Sequence, residues 1–557
     1  MIRRLIFLLA GSIFCVVALA APDIELGKRL YEQGLTADGK EVTAVTQGDI
    51  EFSSSQFSCA NCHRRSGYGS SEGGQFVPPI TASYLFNKRE WHRSYLFDKM
   101  FKEEQPASFW AKIRQPRVRP AFTRETLARA IREGVDPNGK PMDPLMPRFR
   151  IGKEDMDNLL AYLATLGTQV APGVDDKVIH IATIVGDGVD PGKRDAMLAT
   201  IEAFKDWMNL DTRGDLRNPR FSPHYRSDLI KGYRLWDIRV WRLHGDPASW
   251  PAQLDAYYRE QPVFAVLSGM VQGAWTPIQR FCHQHEVPCL FPITDQPAPR
   301  PDYYTFYLTR GLRLEADALA ESLKEQLQGG ETIVQLHAAL GAGQVPAQAF
   351  RAALGDQKVS LQDRAFSDED GLKKQLEALV ARKKQPDYLV IWPGRHGGEV
   401  VDWLLAHPAI AGEIYLPSSI AAALPEKLPP ALEERLYVTW PYEYPGAYHP
   451  RAFRVRAWLR SRGLDIPYPR IQFDTYYALT ILQYGLAHIV DHFSRDYLIE
   501  YIEHEAENAL NPGTYPRLSL GPGQRFASRG AYIMRRNSLD RYPLTRASEW
   551  IVPDSGD

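Results

Sequence analysis

From Ile24 to Gly34 apolar side chains recur at helical spacing. Leu26, Leu30 and Tyr31 fall on one face, with Gly27 four residues before Tyr31, and the pattern predicts an amphipathic helix. A second such helix is expected over Lys153 to Leu166, where Met156, Leu159, Leu160 and Leu163 share a stripe with Tyr162 beside it. Ala171-Pro172-Gly173 then breaks the helical pattern and reads as a linker. Beyond it the period changes. Val178 to Val185 is a short apolar β run, followed by a polar loop and a helix from about Asp195 to Met208. Comparable units recur: Val263 to Leu267 before a helix around Pro277 to His283, then Pro288 to Phe291; Thr332 to His337 before Ala347 to Leu354; a short strand closed by Ala365; and Tyr388 to Trp392 before Gly398 to Leu405. Strands and helices alternating at this spacing predict parallel sheets covered on both faces, and their number predicts two lobes.

The N-terminus carries a different pattern. Arg3 and Arg4 precede an apolar run from Leu5 to Leu19, and Ala18-Leu19-Ala20 supplies the small residues of a cleavage site. An export signal over 1–20 is expected, cut after Ala20. The run is shorter than the roughly 20 apolar residues of a spanning helix, and Pro22 follows it. No later segment is apolar enough to span, so a periplasmic protein is expected. The remaining chain divides into 21–170 and 171–557. With 66 basic and 67 acidic residues it is nearly neutral, which gives no electrostatic reason to bind nucleic acid or a membrane surface.

Five cysteines carry the most specific chemistry. Cys59-Ala60-Asn61-Cys62-His63 spells CxxCH, in which two thiols add to porphyrin vinyl groups while the adjacent imidazole reaches the iron. A structural zinc site is the rival reading, but it needs a second such pair and the sequence has none. Cys15 leaves with the signal, and the bulky Phe14 before it does not suit a lipoprotein site. Cys282 and Cys289 then remain to each other in an oxidising compartment, and a disulfide is expected. The neighbouring His283 and His285 leave a metal site as the alternative.

Gly27-Lys28-Arg29-Leu30-Tyr31, the CxxCH motif, Met146-Pro147-Arg148-Phe149 and Leu160-Ala161-Tyr162-Leu163 occur in an order that resembles class I c-type cytochromes. The resemblance implies an all-α cytochrome c domain with one covalent haem c. Its terminal helices would cross beside the haem, with Gly27 allowing close approach. His63 and Met146 would be the axial ligands, with Met142 the alternative to Met146. A His/Met pair saturates the iron and suits outer-sphere electron transfer. Two connections are longer than the family's, Leu35 to Ser58 and the span from His63 to Met146; they are surface loops or a docking face for a redox partner. Gly73, Gly74, Pro78 and Pro79 match the irregular haem-lining loop of relatives, with ordinary turns the alternative.

The later segment resembles type I periplasmic solute-binding proteins of the branched-chain amino-acid receptor group. The likeness rests on Ile181 to Arg194, Phe264-Ala265-Val266-Leu267-Ser268-Gly269, Val287-Pro288-Cys289-Leu290-Phe291-Pro292, Phe473-Asp474-Thr475-Tyr476-Tyr477-Ala478, and Gly523-Gln524-Arg525-Phe526 with Tyr532-Ile533-Met534. It implies a two-lobed α/β domain whose ligand sits at the carboxyl ends of the strands. The candidate wall is Ser268 and Gly269 from one lobe and Trp392, Arg395 and His396 from the other. Tyr442 and Tyr444 would lie in a covering loop, Trp440 to Tyr448. Packing or solvation is the alternative for each. Gly186-Asp187-Gly188-Val189-Asp190 departs from the hydroxyl-rich loop of amino-acid receptors, and its two acids would repel a carboxylate. A neutral or cationic ligand, or none, is expected instead.

No nucleophile elbow, zinc-protease helix or nucleotide-binding glycine pattern is present, which lowers the expectation of an enzyme. The leading expectation is a periplasmic single-electron carrier coupled to a receptor-like module for ligand sensing or partner docking. Its redox partner would be a periplasmic dehydrogenase, a quinoprotein among them, or another cytochrome. The alternatives are a solute receptor of an ABC-type transport system with an accessory haem domain, and a haem enzyme such as a peroxidase, which needs an open iron position.

Overall fold

A computed structural model of the chain describes residues 21–46, 49–72, 75–89, 118–217, 233–445, 447, 450–490, 492–505, 511–536 and 544–554. The export signal with Cys15, the pair Gly73 and Gly74, and Tyr448 lie outside the described residues. The chain forms two compact units, Met1–Gln169 and Val170–Asp557.

In the first unit the expected terminal helices are Ile24–Gln33 and Lys153–Leu163. The first begins where the Asp23 carboxylate accepts from the backbone N–H groups of Glu25 and Leu26, which satisfies donors that a helix start leaves open. The two helices touch at Gly27. A Cβ there would lie 2.2 Å from the Asn158 carbonyl oxygen and 2.8 Å from Tyr162 Cβ, so the crossing admits no side chain. Tyr31 and Tyr162 meet beside it with ring centroids 5.3 Å apart. Short helices Cys59–His63 and Ala82–Phe86 and a third long one, Arg124–Glu133, complete the helical set described. Two small β elements are added to this helical frame. Strands β1 (Thr43–Val45), β2 (Glu51–Ser53) and β5 (Arg148–Phe149) form an antiparallel sheet in the order β2-β1-β5, and β3 (Ser70–Glu72) pairs with β4 (Gln75–Val77).

A helix-and-turn unit occurs twice in this domain, offset by 100 positions. Helices Ile24–Gln33 and Arg124–Glu133 end on Gly34 and Gly134, at φ 73° and 70°, whose N–H groups bond to the carbonyls of Leu30 and Ala130. The turns that follow carry the same hydrogen bonds: Thr36 N–H to Lys40 O and Gly39 N–H to Thr36 O in the first, Asp136 N–H to Lys140 O and Gly139 N–H to Asp136 O in the second. Arg29 and Arg129 reach forward to the carbonyls of Thr36 and Asp136 respectively. The two units then lead into β1 and β5, and these strands pair with each other.

The second unit has two sheets. Strands β6 (Val178–Gly186), β7 (Leu235–Leu243), β8 (Ala265–Leu267), β9 (Cys289–Leu290) and β10 (Thr305–Phe306) make a parallel sheet in the order β10-β9-β8-β6-β7. Strands β11 (Thr332–Ala338), β12 (Ser360–Phe366), β13 (Tyr388–Trp392), β14 (Glu413–Leu416) and β15 (Leu436–Trp440) are parallel in the second, which is ordered β12-β11-β13-β14-β15-β16-β17. Its last strands, β16 (Tyr532–Arg536) and β17 (Leu544–Arg546), are antiparallel, so this sheet is mixed rather than parallel throughout. Between β15 and β16 the chain returns to the first sheet. Helix Pro469–Ile489 places Ile471, Tyr477 and Leu479 in the same apolar cluster as Met197, Ile201 and Phe204 of helix Pro191–Arg217. Arg495 fixes the next helix, Arg495–Glu505. Its buried guanidinium donates to the carbonyls of Pro172, Val263, His285 and Glu286 and to the Tyr258 hydroxyl. Among the described residues no helix is long and apolar enough to cross a membrane.

Candidate functional site

Cys59, Cys62 and His63 share one short helix, with Cys59 half-buried, Cys62 exposed and His63 buried. The first helix holds it in two places: the Tyr31 hydroxyl donates to the Arg64 carbonyl at 2.6 Å, and Glu32 pairs with Arg65 at 3.4 Å. Arg64 turns the chain immediately after the histidine at φ 63°, a conformation that a residue with a Cβ rarely adopts. Burial pushes the Cys59 thiol up to about 12 and pulls the His63 imidazole down to about 4, the latter partly offset by the Pro78 carbonyl. His63 is therefore neutral, the form that ligates a metal.

The orientation of His63 is set by a loop 15 residues on. His63 Nδ1 donates to the Pro78 carbonyl at 3.0 Å, which leaves Nε2 as the ring nitrogen available to iron. The close return of that loop depends on Gly69, at φ 78°: a Cβ there would meet the Val77 carbonyl oxygen at 2.1 Å and the Pro78 carbonyl at 3.0 Å. Of the four loop residues expected to line the haem, Pro78 thus has a defined part, and Gly69 was missed.

Met142 and Met146 both lie half-buried against the apolar cluster that includes Leu30, Leu160 and Phe149 and that Cys59 also touches. Their backbones differ. Met142 stands 100 positions after the core residue Val42 in the repeated turn, and its N–H bonds back to the Gly134 carbonyl at 2.7 Å. Met146 is held in a turn by its N–H to the Asp143 carbonyl at 2.9 Å, just before the buried Pro147. The donor set suits haem c. It offers two thiols three residues apart on one helix, a neutral histidine with one ring nitrogen engaged and the other available, and two thioethers on the apolar cluster that Cys59 touches.

The strand-end residues of the second unit are less uniform. Ser268 follows β8 at φ 50°, with its N–H on the Leu290 carbonyl and its buried hydroxyl without a partner. Beside it, the Gly269 carbonyl accepts from the Ile293 N–H. Trp392 faces inward: it is fully buried in the core of the second sheet and its indole N–H donates to Gln335 Oε1 at 3.2 Å. Strand alternation directs its ring into the layer below rather than along the strand end, so its place as a wall residue is corrected. Arg395 is exposed, whereas His396 is buried edge-on to Phe366, with centroids 5.7 Å apart. Tyr442 lies under the Arg470 guanidinium at 4.4 Å and packs on the cluster of the first sheet, while Tyr444 packs on that of the second. The two acids of the first loop are engaged. Asp187 accepts from the Gly245 N–H and pairs with His244, which lowers its pKa, and Asp190 accepts from the Lys193 N–H at the start of helix Pro191–Arg217. Their charge is thus partly met within the protein.

The expected disulfide is also corrected. Cys282 and Cys289 are free, fully buried thiols. The Trp275 indole N–H donates to Cys289 Sγ at 3.4 Å, and burial followed by the neighbouring Cys289 pushes Cys282 well above the ordinary thiol range. Burial thus keeps the Cys282 thiol protonated, the unreactive form. His285 turns to Asp255 at 2.8 Å and His283 to Asp302 at 3.8 Å.

Two buried carboxyls had no signal in the sequence. Glu315 accepts from the Ser418 N–H and Ser418 hydroxyl, each at 2.7 Å, and from the Thr439 hydroxyl; it ties the ends of β14 and β15 to helix Leu312–Lys324. Burial lifts it to about 7 against those hydrogen bonds. Asp474 accepts from the Tyr515 hydroxyl at 3.2 Å and is likewise lifted to about 7 by burial, against the pull of Arg470.

The cytochrome c family model matches residues 25–167. No curated protein matches the chain. Among solved structures, a possible leucine/isoleucine/valine-binding protein from Rhodopirellula baltica shares 14% identity at a TM-score of 0.50, over 67% of this chain and 97% of that one. A fatty acid ABC transporter substrate-binding protein from Thermomonospora curvata shares 14% at 0.49, over 69% and 95%. A branched-chain amino acid ABC transporter protein from Thermus thermophilus with bound valine shares 12% at 0.49, over 68% and 98%. At such identity the likeness is one of fold. The chain therefore joins a cytochrome c domain, whose family carries covalent haem c, to an α/β unit with the type I periplasmic binding-protein fold.

Proposed function

We propose that this protein is an exported, periplasmic monohaem electron carrier whose α/β unit senses a small ligand or docks a partner. Haem c bound at Cys59 and Cys62 supplies reversible one-electron exchange at its iron. The observation that carries the reading is the His63–Pro78 hydrogen bond, which presents one neutral imidazole nitrogen on the attachment helix. Met146 is the second ligand. Two features favour Met146 over Met142: it stands beside Pro147, whose fixed backbone would present the thioether, whereas Met142 takes the place of the core residue Val42 in the repeated turn. A saturated iron favours outer-sphere transfer over oxygen or peroxide chemistry, and the donor is a periplasmic dehydrogenase, such as a quinoprotein, or another cytochrome.

Met146→Ala is expected to lower the reduction potential and let the reduced protein bind carbon monoxide, while Met142→Ala leaves both unchanged and costs about 1–3 kcal/mol of stability. Unchanged spectra in Met146→Ala, with altered spectra in Met142→Ala, would reverse the assignment.

A second reading, a solute receptor of an ABC-type system with an accessory haem, draws support from Ser268, whose buried hydroxyl lacks a partner at the end of β8. Saturable binding of a small solute that Ser268→Ala weakens would favour it over a docking module.

A further inference from the structure

We propose that the paired strands β1 and β2, Thr43–Val45 and Glu51–Ser53, within the unusually long connection after the first helix, are a strap that holds Met146 at the iron, with Thr43, Ala44 and Val45 as positioning residues. The inference rests on the reading of Met146 as ligand. Strand β5 begins two residues after Met146 and pairs with β1, Phe149 opposite Ala44 and Arg148 opposite Val45. The Arg150 N–H adds a bond to the Thr43 carbonyl at 3.0 Å. On its other edge β1 is paired with β2 through Thr43, Ala44 and Val45, which stiffens the strand that β5 pairs with.

The base of the strap is anchored to the end of the first helix. Val42 and Ser54 exchange bonds, Ser54 N–H to Val42 O at 2.8 Å and Val42 N–H to Ser54 Oγ at 2.7 Å, and the Ser54 hydroxyl donates to the Gly34 carbonyl at 2.5 Å. The same helix fixes the other ligand, through the Tyr31 bond to Arg64 beside His63. One rigid element thereby sets both ends of the ligand pair. Between Met142, bonded to Gly134, and Arg148, paired with β1, only a short segment is left to carry the thioether. Pinning both ends removes conformations that the methionine would gain on leaving the iron, so with haem bound the thioether would be held there more firmly than on a free loop. Ion pairs Arg148–Asp49 at 3.0 Å and Arg150–Glu51 at 2.7 Å cross the same sheet, but they are exposed and add little.

The test replaces residues 43–53 by a glycine–serine segment of equal length in the full, haem-loaded chain. The readouts are the sulfur-to-iron charge-transfer band of the ferric form, the reduction potential and the affinity for imidazole. The strap predicts a weakened band, a lower potential and imidazole binding at least about tenfold tighter, because the methionine-bound state loses population. An unchanged band and unchanged imidazole affinity in the replaced protein would overturn it. If the replaced chain takes up no haem, amide exchange on the unaltered protein decides: Arg150 N–H should exchange together with Ser54 N–H, and exchange at the rate of an open loop would reject the strap. Absence of the band in the unaltered protein would reject the Met146 reading itself, and the strap with it.

Discussion

The cytochrome unit and the α/β unit put their chemistry in different places. In the first, two thiols and an imidazole come from five consecutive residues, and the surrounding structure orients them: Gly27 brings the helices together, Gly69 lets Pro78 reach His63, and Tyr31 bonds to the residue after His63. In the second, the candidate residues come from strand ends far apart in sequence, and several are already engaged. Trp392 is in the core, Asp187 is paired and Asp190 serves a helix start. A covalent cofactor demands that its attachment be written locally, because two bonds and one ligand must form on one helix. A non-covalent ligand makes no such demand, so a binding fold can persist while its strand ends take other roles.

The largest effect expected is at the attachment helix. Cys59→Ser with Cys62→Ser should abolish covalent haem, read by haem staining after denaturing electrophoresis; stain that persists in the double variant would break the contrast at its root. The next tests the α/β unit. Glu315 and Asp474 are held above their ordinary values, so the folded state binds their protons more tightly than the unfolded chain. The stability they supply is complete below about pH 4 and is lost as pH rises through about 7. Thermal unfolding followed from about pH 5 to pH 8 should therefore show falling stability, to which Glu315 contributes on the order of 3 kcal/mol. Glu315→Gln should flatten that slope, and an unaltered slope in Glu315→Gln with Asp474→Asn would show that burial does not control them. The smallest effect concerns the thiols of the same unit. Cys282 and Cys289 should resist alkylation in the native protein and react fully in denaturant, whereas recovery of a joined peptide from unreduced material would restore the disulfide.

Much of the architecture was legible. Helices Ile24–Gln33 and Lys153–Leu163 and strand β13 follow the apolar periodicity closely. Strand β7 was not, because it lies at a sheet edge and its exposed Arg239 and Arg242 break the apolar run. The pair β1 and β2 escaped because each strand is three residues long and gains its order from pairing rather than from pattern. The repeated turn was present in plain letters, Gly34 to Lys40 against Gly134 to Lys140, yet its meaning appears only when β1 and β5 are seen to pair.

The sequence alone determined the CxxCH motif, the amphipathic faces of the two terminal helices and the change from helical to alternating periodicity after Gly173, because each is fixed by residues close together in the chain. Tertiary structure alone decided that Pro78 orients His63, that Met142 is the counterpart of Val42, that Cys282 and Cys289 remain thiols, and that Glu315 and Asp474 are buried. Each of these depends on what a side chain meets after the chain has folded back. The environment, not residue type, then sets its protonation, its partners and its role.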